Sequence, residues 1–425
     1  MTSPIERLPV EVFDIIAASL DLPAYQHLRL SSRQLHSLSL SSFSKKYFTD
    51  VTTTLGSPSL DRLVNVSKHG YFRASVTLLD IKLLTHRDYK ALTNIQKVGI
   101  YPPPKRFPVV PGVPRRDING EATLYDDVLG RNFPQCITDR LTKALESFPN
   151  CKKIRFRAHH TEPIGWVSIP MPGGDQLFRA RCFEAVFDAI LASKIQLEEF
   201  SMAKRKGSVS LRKCVDLTYP ILHYSYSSSP QLLHCFAHLK SLTVTTATAY
   251  SRGGMRRVGW EKELGVFVAC APNLKHLSLS LDRRGLVGHD SASVIRSLAL
   301  SCRLQALQSF HITNCALHEV DLLQFLAAHA TSLTSFNLTH ARLLSWNWEA
   351  FWTSLKDVGG LRRIRLADLK GPSGGTHVFL WRDQKKPKLV LDVEKDGGDM
   401  SEMLDELVAV TQEQGGSGLS GGEGM

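Results

Sequence analysis

The 425-residue chain reads as an α/β protein: a small N-terminal three-helix domain, then an irregular solenoid of parallel strands with helices on its outside. Three observations predict this. The first fifty or so residues carry three apolar series at helical spacing, a short apolar-x-x-apolar-x-apolar motif recurs along the following segment, and stretches of helical period separate its copies. The length also exceeds the size at which a single core usually stops growing, so several structural units or one elongated array are expected.

The helices come first. Pro9 suits a first helical turn, where a missing N–H costs nothing, and Glu11 favours the positive end of the helix. Val12, Ile15, Ile16 and Leu20 follow as one apolar stripe, and Asp21 with Pro23 predicts a break and a second helix from about Ala24. That helix carries Tyr25, Leu28 and Leu30. A third series, Leu35, Leu38 and Leu40, follows Ser31-Ser32-Arg33-Gln34. Three short helices make a core too small to be comfortable alone, so this unit (residues 1–50) should lean on a partner through an exposed apolar face.

Leu8-Pro9, Glu11-Val12, Ile16, Leu20, Leu22, Leu28-Arg29-Leu30 and Ser32-Arg33 resemble the F-box pattern position by position, over about a tenth of the chain. The continuation Phe43-Ser44-Lys45-Lys46-Tyr47-Phe48 is similar to F-box proteins of filamentous fungi. The resemblance implies that Leu8, Pro9, Val12, Ile16, Leu20, Leu22, Leu28 and Leu30 face a Skp-type adaptor, which in turn binds a cullin. The sequence departs from the family where many members carry a tryptophan after the third helix; Phe43 and Phe48 are the hydrophobes available to close the core there.

Beyond residue 50 the motif appears as Val76-Leu79-Ile81, Ile95-Val98-Ile100, Cys151-Ile154-Phe156, Leu197-Phe200-Met202, Leu239-Leu242-Val244, Leu274-Leu277-Leu279, Leu307-Phe310-Ile312, Leu333-Phe336-Leu338 and Leu361-Ile364-Leu366. From Leu239 onward the intervals are 35, 33, 26 and 28 residues, the pattern of a degraded leucine-rich repeat. Its second half alternates as a strand does, and helical periods fill Ile137 to Phe148, Phe183 to Ile195, Leu264 to Ala271, Val294 to Ser301, Leu322 to His329 and Trp348 to Leu355. Strand then helix, repeated with short links, demands parallel strands and crossover connections. The array should occupy residues 51–395, with proline-rich insertions near 101–131 and 161–176. Residues 387–393 read as one more strand. Residues 396–425 read as a helix over Met400 to Gln412 and a flexible Gly/Ser-rich tail.

Catalytic motifs do not emerge. No glycine-rich phosphate loop follows a strand, Gly371 to Gly375 reads as a loop, His159-His160 lacks spaced ligands, and no H-E-x-x-H or G-x-S-x-G is present. The eight cysteines form no C-x-x-C pair and sit in apolar patterns, Cys270, Cys302 and Cys315 among them, which suits reduced, packed thiols. No enzyme activity, cofactor or metal site is expected. The net charge of +12 is spread in short clusters such as Lys204-Arg205-Lys206 and Lys385-Lys386, which favours solvated surface over nucleic-acid binding. The N-terminus lacks the features of a secretory signal and no apolar run reaches membrane-spanning length, so a cytoplasmic or nuclear location and no membrane partner are expected.

Function should then reside on the polar x positions of the strands: Arg155, Ser201, Thr243, Ser278, His311, Asn337 and Arg365, flanked by Lys153, Arg157, Asp282, Thr313, Thr339 and Arg363. Arginines at both ends with hydroxyls and amides between them suit an extended, acidic or phosphorylated peptide. Trp346, Trp348 and Trp352 suit core packing beneath a repeat helix more than a surface anchor. Two readings stand: a substrate-recognition subunit of a cullin-type (SCF) ubiquitin ligase, and a leucine-rich scaffold whose F-box-like hairpin serves an assembly that does not ubiquitinate.

Overall fold

The structure is a computed structural model and describes residues 4–83, 134–158, 173–202, 217–218, 229–247, 260–281, 289–344, 348–370, 376–377, 390–394 and 400–416. The predicted insertion 101–131, most of that at 161–176, the motif copy Ile95-Val98-Ile100, Cys214, His159-His160, Lys204 to Lys206, Lys385-Lys386, Trp346, Gly371 to Gly375 and the tail beyond Gly416 lie outside these residues. The chain divides into two compact units, Met1–Thr161 with Ala185–Ile195, and Glu162–Glu184 with Gln196–Met425.

The first unit opens with helices α1 (Val10–Ser19), α2 (Leu22–Ser31) and α3 (Arg33–Phe48). Asp21 does not merely break the chain. Its side chain accepts a hydrogen bond from the Ala24 N–H at 2.9 Å, and Pro23 occupies the first turn of α2, so that helix begins two residues earlier than expected. Ser32 caps α3 in the same way through the Leu35 N–H, and α3 extends a full two turns past Leu40. Lys46 donates from Nζ to the carbonyls of Ala18 and Leu20, closing the C-terminal end of α1, where cations are favoured.

Then β1 (Asp50–Thr53), α4 (Ser57–Lys68), α5 (Gly70–Ser75), β2 (Leu78–Leu83), α6 (Gln135–Ser147) and β3 (Lys153–Ala158) follow, with β1, β2 and β3 parallel in that order. Helix α7 (Gly173–Ser193) begins ten residues before the helix expected from Phe183, so Gly173 to Gln176 are helical rather than part of a surface excursion. Glycines and a polar first turn hid that start.

The second unit builds β4 (Glu199–Ser201), β5 (Leu217–Thr218), α8 (Ser229–Phe236), β6 (Ser241–Ala247), α9 (Trp260–Ala269), β7 (His276–Ser280), α10 (His289–Ser301), β8 (Ser309–Leu317), α11 (Glu319–Ala328), β9 (Ser335–Leu343), α12 (Trp348–Leu355), β10 (Arg363–Lys370), β11 (Thr376–His377), β12 (Val390–Glu394) and α13 (Ser401–Gly416). Strands β4, β6, β7, β8, β9 and β10 pair in parallel, whereas β11 and β12 run antiparallel to β10. The carbonyls of Glu198, Lys240, Lys275, Gln308 and Thr334 each accept two N–H groups from the following repeat, which fixes the stacking register.

Every apolar residue of the eight motif copies in the described residues is no more than 6 % exposed. Aromatic pairs reinforce successive layers, as where Phe310 lies 4.7 Å from Phe325 and 6.2 Å from Phe336 between ring centroids. Trp348, Phe351, Trp352 and Leu355 are buried on α12, as core packing requires. Gly265 lets α9 approach α10, since a Cβ there would stand 2.7 Å from Ser297 Oγ. No described helix is long and apolar enough to cross a membrane.

Candidate functional site

The N-terminal hairpin encloses five buried apolar residues, Phe13, Ala17, Tyr25, Leu35 and Phe43. Tyr25 is the centre of this core: its ring meets Phe43 edge-on at 5.2 Å and its hydroxyl bonds Ser42 Oγ at 2.6 Å. Phe43 and Phe48 do close the core, and Phe48 stacks on Phe72 of α5 with centroids 4.1 Å apart.

The stripe expected on α1 is divided. Phe13 and Ala17 point inward with Leu20 against them, whereas Val12, Ile15 and Ile16 face water, because the helix is apolar on two sides and three helices can cover one. The eight residues singled out from sequence split accordingly. Leu8, Leu20 and Leu28 pack on the buried cluster. Pro9, Val12, Ile16, Leu22 and Leu30 are exposed, Leu30 at 83 %, and Val10 and Ile15, the latter at 74 %, join them. This small helical unit thus leaves several large apolar side chains outside its own core.

The second candidate is the polar strand face. Ser201, Thr243, Ser278, His311, Asn337 and Arg365 occupy one register row across β4, β6, β7, β8, β9 and β10. Arg155 lies on β3 of the first unit, in register with Asp80 and through it with Thr52. Ser201 is 4 % exposed and so is not displayed on the surface. Thr243, Ser278, His311 and Asn337 are half-buried and Arg365 is exposed. Of the flanking residues, Lys153 and Arg363 are exposed, Thr339 is half-buried, Thr313 is buried, only the backbone of Arg157 is described, and Asp282 lies outside the described residues.

His311 Nδ1 lies 3.3 Å from Ser278 Oγ, while His311 Nε2, Asn337 Oδ1 and Thr313 Oγ1 are buried without a hydrogen-bond partner. Burial, with the Arg365 charge nearby, pushes the His311 imidazole down to about 4, so it is neutral at physiological pH. Each orphaned polar group costs about 1–3 kcal/mol.

Two features of this face escaped sequence reading. Strand β12 sets Asp392 opposite Arg365 and Glu394 opposite Arg363, so the arginines at this end have acidic register neighbours. Asn314, His340 and Asp368 each adopt a left-handed backbone at the same offset, two residues past the last apolar motif position of β8, β9 and β10. Asn314 Nδ2 donates to Ser280 Oγ at 3.0 Å, and His340 Nδ1 meets Asp368 Oδ2 at 2.7 Å. Asn, Asp and His tolerate that conformation better than other non-glycine residues, and the constant offset was the available signal.

Elsewhere, a cavity of about 280 Å³ between the turn after α12 and the start of α13 is lined by Leu355, Lys356, Arg362 and Met400 among others, and by none of the expected site residues. Burial pushes the thiols of Cys151, Cys302 and Cys315 up to about 12, far from nucleophilic use at neutral pH. Among the described residues, no cluster of three or more His, Cys, Asp or Glu side chains is placed to hold a metal. Comparison with known proteins found no protein-family model and no curated protein sequence that matches this chain.

Proposed function

We propose that this protein is the substrate-recognition subunit of a cullin-type (SCF) ubiquitin ligase, with an N-terminal F-box that docks on a Skp-type adaptor and leucine-rich repeats that hold a protein substrate. The observation that carries the reading is the exposed apolar surface of the hairpin: Pro9, Val12, Ile16, Leu22 and Leu30, all positions matching the F-box pattern, lie in water over a core of five residues. A helical unit with so little interior gains most from a partner that covers this face. The repeat array supports the second half of the reading, since its buried motif residues present a polar strand face suited to an extended ligand.

The test is a pull-down of the full-length chain with purified Skp-type adaptor and cullin, beside Val12→Asp and Ile16→Asp variants. Both side chains are about two-fifths exposed, so the chain itself should tolerate the charge. A carboxylate buried in the interface should cost several kcal/mol, enough to abolish a micromolar complex. Capture by the wild type and loss in both variants is expected; no capture of the wild type would overturn the proposal. Adaptor capture without cullin-dependent turnover of any bound protein would favour a non-ubiquitinating scaffold instead.

A further inference from the structure

We propose that the cavity between the turn after α12 and the start of α13 binds a small organic acid, a compact apolar body carrying one carboxylate. The cavity lies within the second unit, none of the polar row residues line it, and its ligand is independent of the ligase reading. Its volume of about 280 Å³ falls at the lower end of small-molecule sites, which span about 300–1,000 Å³. A compact ligand follows from that size.

The lining supplies the chemistry. Leu355, Val358, Leu361, Met400 and Leu404 form its apolar part, each no more than 6 % exposed. Lys356 and Arg362 are the charged residues among the described lining, and no acid stands with them. An apolar wall beside two cations complements an amphipathic anion: the body displaces water from the wall while the carboxylate meets guanidinium and ammonium. The Arg362 backbone N–H donates to the Thr334 carbonyl at 2.8 Å, which anchors the base of that exposed side chain at the cavity. Lys356 bridges to Asp405 on α13, whose side chain is 62 % exposed. A pair so open to water is weak, so a ligand carboxylate can take the place of Asp405 at the ammonium. Gly359 lines the same cavity with neither a positive φ nor any atom within 4 Å of where a Cβ would stand, so the turn itself does not demand glycine there, and its bare backbone leaves that part of the wall uncovered.

The experiment titrates the purified full-length chain with cyclohexanecarboxylate, cyclohexanecarboxamide, cyclohexylamine and acetate, followed by ligand-detected NMR. Saturable binding of the cyclohexyl acid, about fivefold or more tighter than its amide, is expected, with the amine weaker again because it meets like charge and acetate weaker because it lacks the apolar body. Arg362→Glu should weaken the acid about tenfold and Lys356→Met about threefold, whereas Asp405→Asn, which releases Lys356, should bind it as tightly or more so. Thermal melting checks that each variant is folded. Should Lys356→Met fail to fold on losing its bridge to α13, Arg362→Glu, at an exposed side chain, decides alone. No saturable binding of the acid, equal binding of acid and amide, indifference to Arg362→Glu, or weaker binding by folded Asp405→Asn would each overturn the inference. Adaptor capture plays no part in these readouts, so the inference and the ligase reading fail separately.

Discussion

In the N-terminal hairpin, Phe13, Ala17 and Tyr25 are buried while Val12, Ile15, Ile16, Leu22 and Leu30 stand in water. In β6 to β10, every apolar motif position is buried and the opposite face is hydroxyl, imidazole, amide and guanidinium. The array can cover its apolar residues because each repeat adds a strand and a helix that cover the last. Three helices cannot do the same, so part of their apolar surface remains available for another chain. Exposed apolar residues therefore carry information in the hairpin, and exposed polar ones carry it in the array.

If that contrast is right, deleting an apolar side chain should have opposite consequences in the two regions. Phe336→Ala removes a fully buried ring from the stack with Phe310. It should cost about 4 kcal/mol and lower the melting midpoint by about 10 °C, read by calorimetry. A drop below a few degrees would mean that the array is loosely packed.

Acid should attack the array next. His311 is held neutral, and His329 is too: its Nε2 accepts the Leu304 N–H at 3.0 Å, its Nδ1 donates to the Phe325 carbonyl at 2.7 Å, and burial lowers its basicity, with Arg303 adding to the effect. Below the ordinary histidine range the unfolded chain takes up these protons and the folded one resists. The stability contribution is thus complete above about pH 6.5 and should fall by on the order of 3 kcal/mol for His311 alone as the pH drops to about 4. His329→Gln, which cannot charge, should flatten the acid limb of melting midpoint against pH; an unchanged limb would remove His329 from the account.

A smaller effect probes the turns. Gly360 has φ +89° and a Cβ there would lie 2.7 Å from the Ala330 carbonyl oxygen. Gly360→Ala should therefore cost about 2 kcal/mol in thermal or denaturant unfolding while leaving adaptor capture unchanged. In the hairpin, Asp21→Ala deletes the cap on α2 and should cost about 1 kcal/mol, seen as faster hydrogen exchange at the start of that helix. The smallest effect sharpens the contrast most: Ile15→Ser, at a residue 74 % exposed, should move stability by less than about 0.5 kcal/mol and yet weaken adaptor capture. A large loss of stability would show that Ile15 is buried in the free chain after all.

Much of this was legible in the chain. The eight triplets within the described residues each name a strand and are buried as their spacing demands. The helices α6, α11 and α12 appear within three residues of their expected spans, whereas α9 and α10 start four and five residues early, α7 starts ten residues early behind its glycines, and α4, α5 and α8 were not foreseen. On the hairpin, a helix apolar on two sides left periodicity unable to say which side faces in. The contacts of Tyr25 and Phe43 decided that Phe13 and Ala17 would be covered and Ile15 and Ile16 would not.

The strand face shows the same division. Sequence alone determined that the x positions are polar and that their copies share a phase, because alternation along a strand is a local property of the backbone. It could not determine which strands become neighbours at the ends of the array. That depends on long-range pairing: Arg155 sits beside Asp80, and β12 runs antiparallel to β10, matching Leu391 to Leu366 and Val393 to Ile364 and thereby setting Asp392 against Arg365. The sign and strength of charge at a surface are sums over neighbours in space, so the repeat and its polar face were written in the chain, and the electrostatic character of that face was decided only when the strands came together.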